Sequence, residues 1–252
     1  MMVCTVVAAG GLAGCGGSGG GNAEGKPSPA RSVSDAQRMT EALTLFKGYR
    51  SFGLEGEVRD EVNTLVDLHV DRQGNCVGSY RNLGATTEFV VIGDRAWSAF
   101  DEKGLSSSIE TARYMGPDAV DAAKDAAATA RGKYVESSAA ELTEANIALS
   151  LCRMDRAYAD VPASVTSAEH SRPRTEKGER RVSLTHTHED GEVVVEVPKA
   201  GTPKPRRIEF EVRDVPVLVD IDDYDVPVKV QRPDTSDVVQ AEDVRGLNPF
   251  AD

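Results

Sequence analysis

The side chains best suited to chemistry in this 252-residue chain are few and widely spaced. Its cysteines stand at positions 4, 15, 76 and 152, with no C-x-x-C pair for redox exchange and no spacing suited to a zinc site. His186 and His188 sit two residues apart in a run that reads as strand, so they share one face. With Glu189 or His170 they can hold a transition metal; the plainer reading is a solvated strand face, and no metal is expected. Asp220, Asp222, Asp223 and Asp225 form an acidic run. A calcium loop of the EF-hand type requires an acidic or amide residue where Tyr224 stands and a glycine where Asp225 stands, so the run reads as an acidic strand end. Gly14 to Gly19 fits G-x-G-x-x-G and Gly16 to Gly20 fits G-x-S-x-G, but neither has the preceding strand and following helix that phosphate binding or a nucleophile elbow requires. No Ser/His/Asp constellation can be argued from position. The expectation is a protein without catalysis and without a cofactor.

Bulk properties exclude further classes. The formal net charge is −12 and the pI about 4.9, which disfavours nucleic acid as a partner and equally disfavours a peripheral electrostatic grip on anionic lipid. Aromatic residues make up 5% of the chain, so its core must be built mainly from Val, Leu, Ile and Ala. The length suits one sizeable domain.

The N-terminus differs from the rest. Residues 1–14 are apolar or small and carry no charge, as in the hydrophobic part of a signal peptide. Leu12-Ala13-Gly14-Cys15 resembles the lipobox of bacterial lipoproteins, in which the cysteine receives a diacylglycerol and the peptide bond before it is cut. The resemblance implies a lipid on Cys15, a membrane anchor of two acyl chains, and a position on the extracytoplasmic face. No Lys or Arg precedes the short apolar stretch, so the natural start is expected upstream. Residues 15–33 then read as the lipidated cysteine and a flexible Gly/Ser/Pro linker with a reach of roughly 20–25 Å. With Cys4 in the leader and Cys15 lipidated, Cys76 and Cys152 remain as a pair in an oxidising compartment. A disulfide between them is one reading, and two buried thiols are the other.

The elements that must position these residues follow from periodicity. Residues 34–49 read as a helix capped by Ser34, with Met39, Leu43 and Phe46 on one face and Gly48 at its end. From Ser51 the period becomes two. Strands are expected over Leu54–Val58, Leu65–Asp71, Cys76–Tyr80, Thr87–Ile92 and Arg95–Phe100. Pro117 opens an Ala-rich helix that Gly132 stops, and Lys133 to Glu136 form a short strand. Ser138 and Glu141 form a capping box for a helix running through Leu142, Ala145, Leu149, Cys152 and Met154. Strands resume over 180–189, 192–197, 206–213 and 217–221, with Asp190-Gly191 as a hairpin turn. Residues 241–252 read as a polar tail. The fold class is therefore α+β: a single large curved antiparallel sheet with helices covering its concave face. Trp97 and Tyr134 are expected to face the sheet interior, as ordinary core or as the lining of a ligand cavity.

Several segments resemble the LolA/LolB-like and LppX/LprG-like lipoproteins, whose domain is a half-barrel closed by helices. Gly74-Asn75-Cys76-Val77-Gly78, Gly93-Asp94-Arg95-Ala96-Trp97, Gly132-Lys133-Tyr134-Val135, Leu151-Cys152, Pro205 to Glu209 and Asp223 to Val228 carry the likeness across residues 34–240. It implies a half-barrel at the cell envelope that holds a lipid or other apolar ligand between sheet and helices. It also implies that Cys152 partners the cysteine of the first hairpin, Cys76. The second reading is a surface interaction lipoprotein with a filled core and a protein partner.

Overall fold

The computed structural model describes residues 33–189 and 191–247. The apolar leader, Cys15 and the linker through residue 32 lie outside the described residues, as do Asp190 of the expected hairpin turn and residues 248–252.

Helix α1 (Asp35–Gly48) starts at a reciprocal cap. The Gln37 N–H donates to the Ser34 hydroxyl at 3.2 Å, and the Ser34 N–H donates to Oε1 of Gln37 at 3.1 Å. Met39, Ala42, Leu43 and Phe46 fall on one face, and all four are buried. The chain then meanders through β1 (Ser51–Val58), β2 (Thr64–Asp71), β3 (Cys76–Asn82), β4 (Ala85–Ile92) and β5 (Arg95–Phe100). Two helices, α2 (Glu102–Ala112) and α3 (Pro117–Ala130), lead to β6 (Tyr134–Ser138). Short helices α4 (Ala139–Ala145), α5 (Ile147–Ser150) and α6 (Met154–Ala157) follow. Small strands β7 (Glu169–His170) and β8 (Arg174–Glu176) precede a second meander: β9 (Glu179–His188), β10 (Gly191–Pro198), β11 (Arg207–Val212) and β12 (Val215–Asp222). A last strand, β13 (Val238–Gln240), ends in a 3-10 segment, Ala241–Leu247.

Among the described residues these strands make one thirteen-stranded sheet in the order β13-β6-β5-β4-β3-β2-β1-β12-β11-β10-β9-β7, with β8 on β9. It is antiparallel except where β13 runs parallel to β6. The two meanders meet where β1 pairs with β12. The fold is thus the open, curved, helix-covered sheet that the sequence patterns imply. Close backbone approach marks the bend: a Cβ at Gly56 or Gly78 would run into the backbone of the neighbouring strand, at Leu218 and Asp67 respectively.

Register decides which residues face inward. On β2, Val66, Leu68 and Val70 are buried while Leu65 and Asp67 are exposed. Val70 lies opposite Cys76, Cys76 opposite Val91, and Val91 opposite Ala96. These side chains share the concave face with the buried sides of α1 and of α4 to α6 in one large apolar cluster. A second cluster lies under α2 and α3, where Leu105, Ala126, Ala127 and Ala130 meet Val135 of β6 and Val244.

Three sequence expectations need correction. Helix α2 was not anticipated, although Asp101 caps it by accepting the Gly104 N–H at 2.7 Å. The single helix expected from Ser138 is broken at Asn146, which is extended (φ −132°, ψ 117°). Its side-chain oxygen accepts the N–H groups of Ala148 (2.8 Å) and Leu149 (3.3 Å), so it caps a new helix rather than continuing the old one. Residues 241–247, expected as the start of a polar tail, pack on α3 with Val244 buried.

Cys76 and Cys152 form a disulfide that closes a sequence separation of 76 residues and ties the α5–α6 segment to the start of β3. In the chain-entropy description such a loop contributes about 4–5 kcal/mol at most. The Cys76→Ala/Cys152→Ala double variant should lose about 2–5 kcal/mol of stability. Urea unfolding would register this as a lower midpoint with a steeper slope, because the denatured chain without its cross-link exposes more surface. A midpoint equal to the parent's would show that packing alone holds the segment.

Candidate functional site

Beneath the short helices the concave face is closed by an aromatic stack. Tyr158 meets Phe46 edge-on with ring centroids 5.2 Å apart, Phe210 at 5.3 Å and Phe52 at 5.9 Å. Its hydroxyl donates to the carbonyl of Leu151 at 3.4 Å, and full burial pushes its ionisation far above the ordinary tyrosine range. Such rings interlock at a cost to any side chain or ligand that would take their place.

Above the stack, between the ends of β9, β10 and β11 and residues 160–162, lies a cleft of about 590 Å³. Val161, Pro162, Val193 and Phe210 line its apolar side; Asp160, His186, His188, Glu192, Arg213 and Asp214 line its rim. The volume falls within the range of small-molecule sites, about 300–1,000 Å³. His186 and His188 therefore belong to the concave side: His186 lies opposite Val193 of β10, whose side chain is buried in the core. The Nδ1 of His186 is 2.8 Å from the carbonyl of Ser167, and since a carbonyl only accepts, Nδ1 carries a proton and donates it there. His170 turns away to Asp35 at 2.7 Å. Among the described residues no group of three His, Cys, Asp or Glu side chains is placed to hold a metal.

Trp97 and Tyr134 are not where the sequence pattern put them. Ala96 and Ser98 carry the concave register on β5, so Trp97 points to the opposite, convex face, beside Val90 and Glu136. Tyr134 shares the parity of Glu136 and lines a convex groove with Asp67, His69, Ser79 and Glu88. The error has a simple source. Arg95-Ala96-Trp97-Ser98-Ala99-Phe100 has apolar residues of both parities, and only pairing with β4 fixes the face. The cleft itself was missed because Val161, Pro162, Val193 and Phe210 converge only in the fold.

Over β9 to β12 the convex face carries an ion network. Glu196, whose side chain is 3% exposed, pairs with Arg174 and with Arg181 at 3.3 Å. Arg181 also meets Glu179 at 3.1 Å, Arg206 meets Glu179 at 3.0 Å, and Arg207 meets Asp220 at 2.6 Å. The network pins β8 over the sheet. The Arg206 guanidinium, bonded to Glu179, together with Arg181 holds that carboxyl below its ordinary value of 4.5.

Among known structures this architecture, an open half-barrel with helices on its concave side, has counterparts. LprF from Mycobacterium bovis superposes with a TM-score of 0.53 at 14% identity, covering 79% of this chain and 96% of its own. The lipoprotein LppX from Mycobacterium tuberculosis aligns with a TM-score of 0.46 at 13% identity, covering 78% of this chain and 98% of its own. The chain thus has the fold of LprF. No protein-family model matches the sequence, and no curated protein matches it either.

Replacing Glu196 by Ala removes the buried carboxylate that Arg174 and Arg181 share and leaves Arg181 paired with Glu179, which should cost about 1–3 kcal/mol, read as a lower thermal midpoint. The acid response has a definite sign. A carboxyl depressed in the fold stabilises above its unfolded pKa, and that contribution is lost as pH falls through the folded value. The midpoint should therefore drop as pH falls below about 4.5, and Glu179→Gln should flatten the drop. An unchanged acid limb in that variant would remove Glu179 as its source.

Proposed function

We propose that this is a lipid-anchored protein of the extracytoplasmic membrane face that binds a lipid or other apolar ligand at the concave cleft. The carrying observation is the cleft's placement: it opens where strand ends and a loop leave the concave side uncovered, and its floor of Val161, Val193 and Phe210 adjoins the aromatic stack. Each methylene buried there contributes about 0.8 kcal/mol, so about ten gain roughly 8 kcal/mol to set against the cost of association. The anchor is supported by the Leu12 to Cys15 motif. No helix among the described residues is long and apolar enough to cross a membrane.

One observation favours the second reading, a protein-binding module with a filled core. Phe46, Phe52, Phe210 and Tyr158 occupy the room behind the cleft, so a long acyl chain enters only if Tyr158 moves.

Native mass spectrometry of residues 31–252, purified from an envelope-secreting host without detergent, separates the two readings. That chain lacks Cys15, so any added mass is cargo. A discrete, solvent-extractable mass is expected, and Pro162→Trp, which fills the cleft from its loop side, should abolish it. A clean protein mass after incubation with bacterial membrane lipid extract would sink the ligand reading and leave the filled-core module.

A further inference from the structure

The chain's last segment takes a path across the face opposite the cleft. It leaves β12 beside the start of β1, where the Asp225 N–H donates to the Ser51 carbonyl at 2.9 Å and the Arg50 N–H donates to Oδ1 of Asp225 at 2.8 Å. It rejoins the sheet at β13, paired with β6. Strands β2 to β5 lie between, a span of about 24 Å at ordinary strand spacing. Residues 226–237 cross this span on the convex side, because the Arg232 guanidinium sits 5.6 Å from the Trp97 ring centroid. The segment then rounds the sheet edge. Val244 enters the cluster under α3, and Gly246 lies so close to α3 that a Cβ there would strike the Ala122 carbonyl.

The crossing has the marks of an occupied binding track. Among the described residues no backbone hydrogen bond ties Pro227 to Pro233 to the sheet; side chains hold it there. Prolines at 227 and 233, alternate valines at 226, 228 and 230, and the cations Lys229 and Arg232 make it an extended segment of the kind aromatic-lined grooves accept. The face below carries the carboxylates Asp67, Glu88 and Asp222, which complement the strap's cations, while its Glu136 is already paired with Arg95, whose guanidinium also lies 5.2 Å from the Trp97 ring centroid. The fit is also incomplete. Trp97 is 1% exposed, yet among the described residues its indole N–H has no partner, and neither does Nε2 of His69. A groove of about 320 Å³, lined by Asp67, His69, Val77, Val90 and Tyr134, lies on the same face. Each buried polar group left unpaired costs about 1–3 kcal/mol, so an occupant that offers an acceptor to the Trp97 N–H or a polar partner to Nε2 of His69 binds better than the strap. At the strap's root, Asp223 (φ 43°) and Asp225 (φ 59°) are both left-handed, a conformation that aspartate tolerates in turns, and Asp225 anchors the strap to β1.

We propose that the convex face from His69 to Tyr134 is a docking track for an extended, Val/Pro-rich, cation-bearing peptide segment of a partner protein, and that the chain's own residues 226–240 occupy it at rest. The tethered strap competes at an effective concentration of about millimolar, so the partner gains access by pairing the orphaned groups that the strap leaves.

Trp97 is the one tryptophan in the sequence, so its emission reports the track. A protease site inserted between Val226 and Pro227 of the full chain is cut after folding, and labelled synthetic peptides are added. A labelled peptide of residues 227–247 should exchange into the cut chain and restore Trp97 shielding from acrylamide. The Arg232→Glu form of that peptide should bind at least about tenfold more weakly. Peptides selected from a random displayed library on the cut chain should converge on valine, proline and a cation, and the best of them should unseat the strap of the uncut chain, seen as Trp97 emission. A cut chain that never exchanges its strap overturns the proposal, as does one that bares Trp97 but takes up no peptide. Selected peptides without the cation or the apolar alternation also overturn it. Mixed dimers of cut and uncut chains, with no selected peptide able to compete, would assign the track to a second copy and overturn the partner.

Discussion

A single open sheet has two faces and two edges, and its helices gather on one of those faces. Everything else in this chain answers to that imbalance. The concave face is apolar by strict alternation, as Val66, Leu68 and Val70 show on β2, and helices bury it. The convex face cannot be apolar to the same degree and must still stay ordered over many strands. It is handled in two ways. Over β9 to β12, arginines and carboxylates neutralise one another in a network that fixes the β8 arm. Over β1 to β6, the chain's own C-terminal segment crosses and covers Trp97. The same segment caps the β6 edge with β13, while β7 and β8 cover β9, so each end of the sheet is blunted by a short strand that offers little to a stray partner.

The covering of the concave face is locked rather than merely packed. Helices α4, α5 and α6 are each too short to persist alone, since helix nucleation is costly and propagation over so few residues returns little. Two restraints hold the segment in place: the Cys76–Cys152 bond at its middle and the Tyr158 stack at its end. The cleft opens just beyond the second restraint, at Asp160 to Pro162. The cleft where a ligand is proposed to bind therefore lies beyond the covalent lock, on the side held by packing alone.

Local pattern carried most of the architecture. The α1 cap and stripe, the strands of both meanders and the cysteine pairing all rest on residues close in sequence or on a resemblance across ordered motifs, and the structure has each. What escaped depends on non-local pairing. Helix α2 carries Gly104 and the run Ser106-Ser107-Ser108, which lower helix propensity and blur its Leu105/Ile109/Ala112 stripe. The face taken by Trp97 is set by register against β4, which sequence parity did not encode. Strands β7, β8 and β13 are two or three residues long and carry no period of their own. Asn146 read as one more position in a helix because its capping role appears only once the preceding residues have ended theirs.

The two faces are also separable in their energetics. The cleft and the Tyr158 stack belong to the large cluster beneath α1 and α4 to α6, whereas the strap ends in the smaller cluster beneath α2 and α3. Val244 and the close approach of Gly246 to Ala122 tie the strap to α3, and α3 packs on α2, which lies on β4 and β5. Lifting the strap therefore loosens the α2–α3 pair and the β6 edge first, and leaves the aromatic floor of the cleft in place. Communication between the two surfaces would have to pass through β4 and β3, where Val91 abuts the disulfide-bonded Cys76. A rigid cross-link at that junction favours independence: a ligand shifts a distant site only as far as some element between them has two arrangements to choose from.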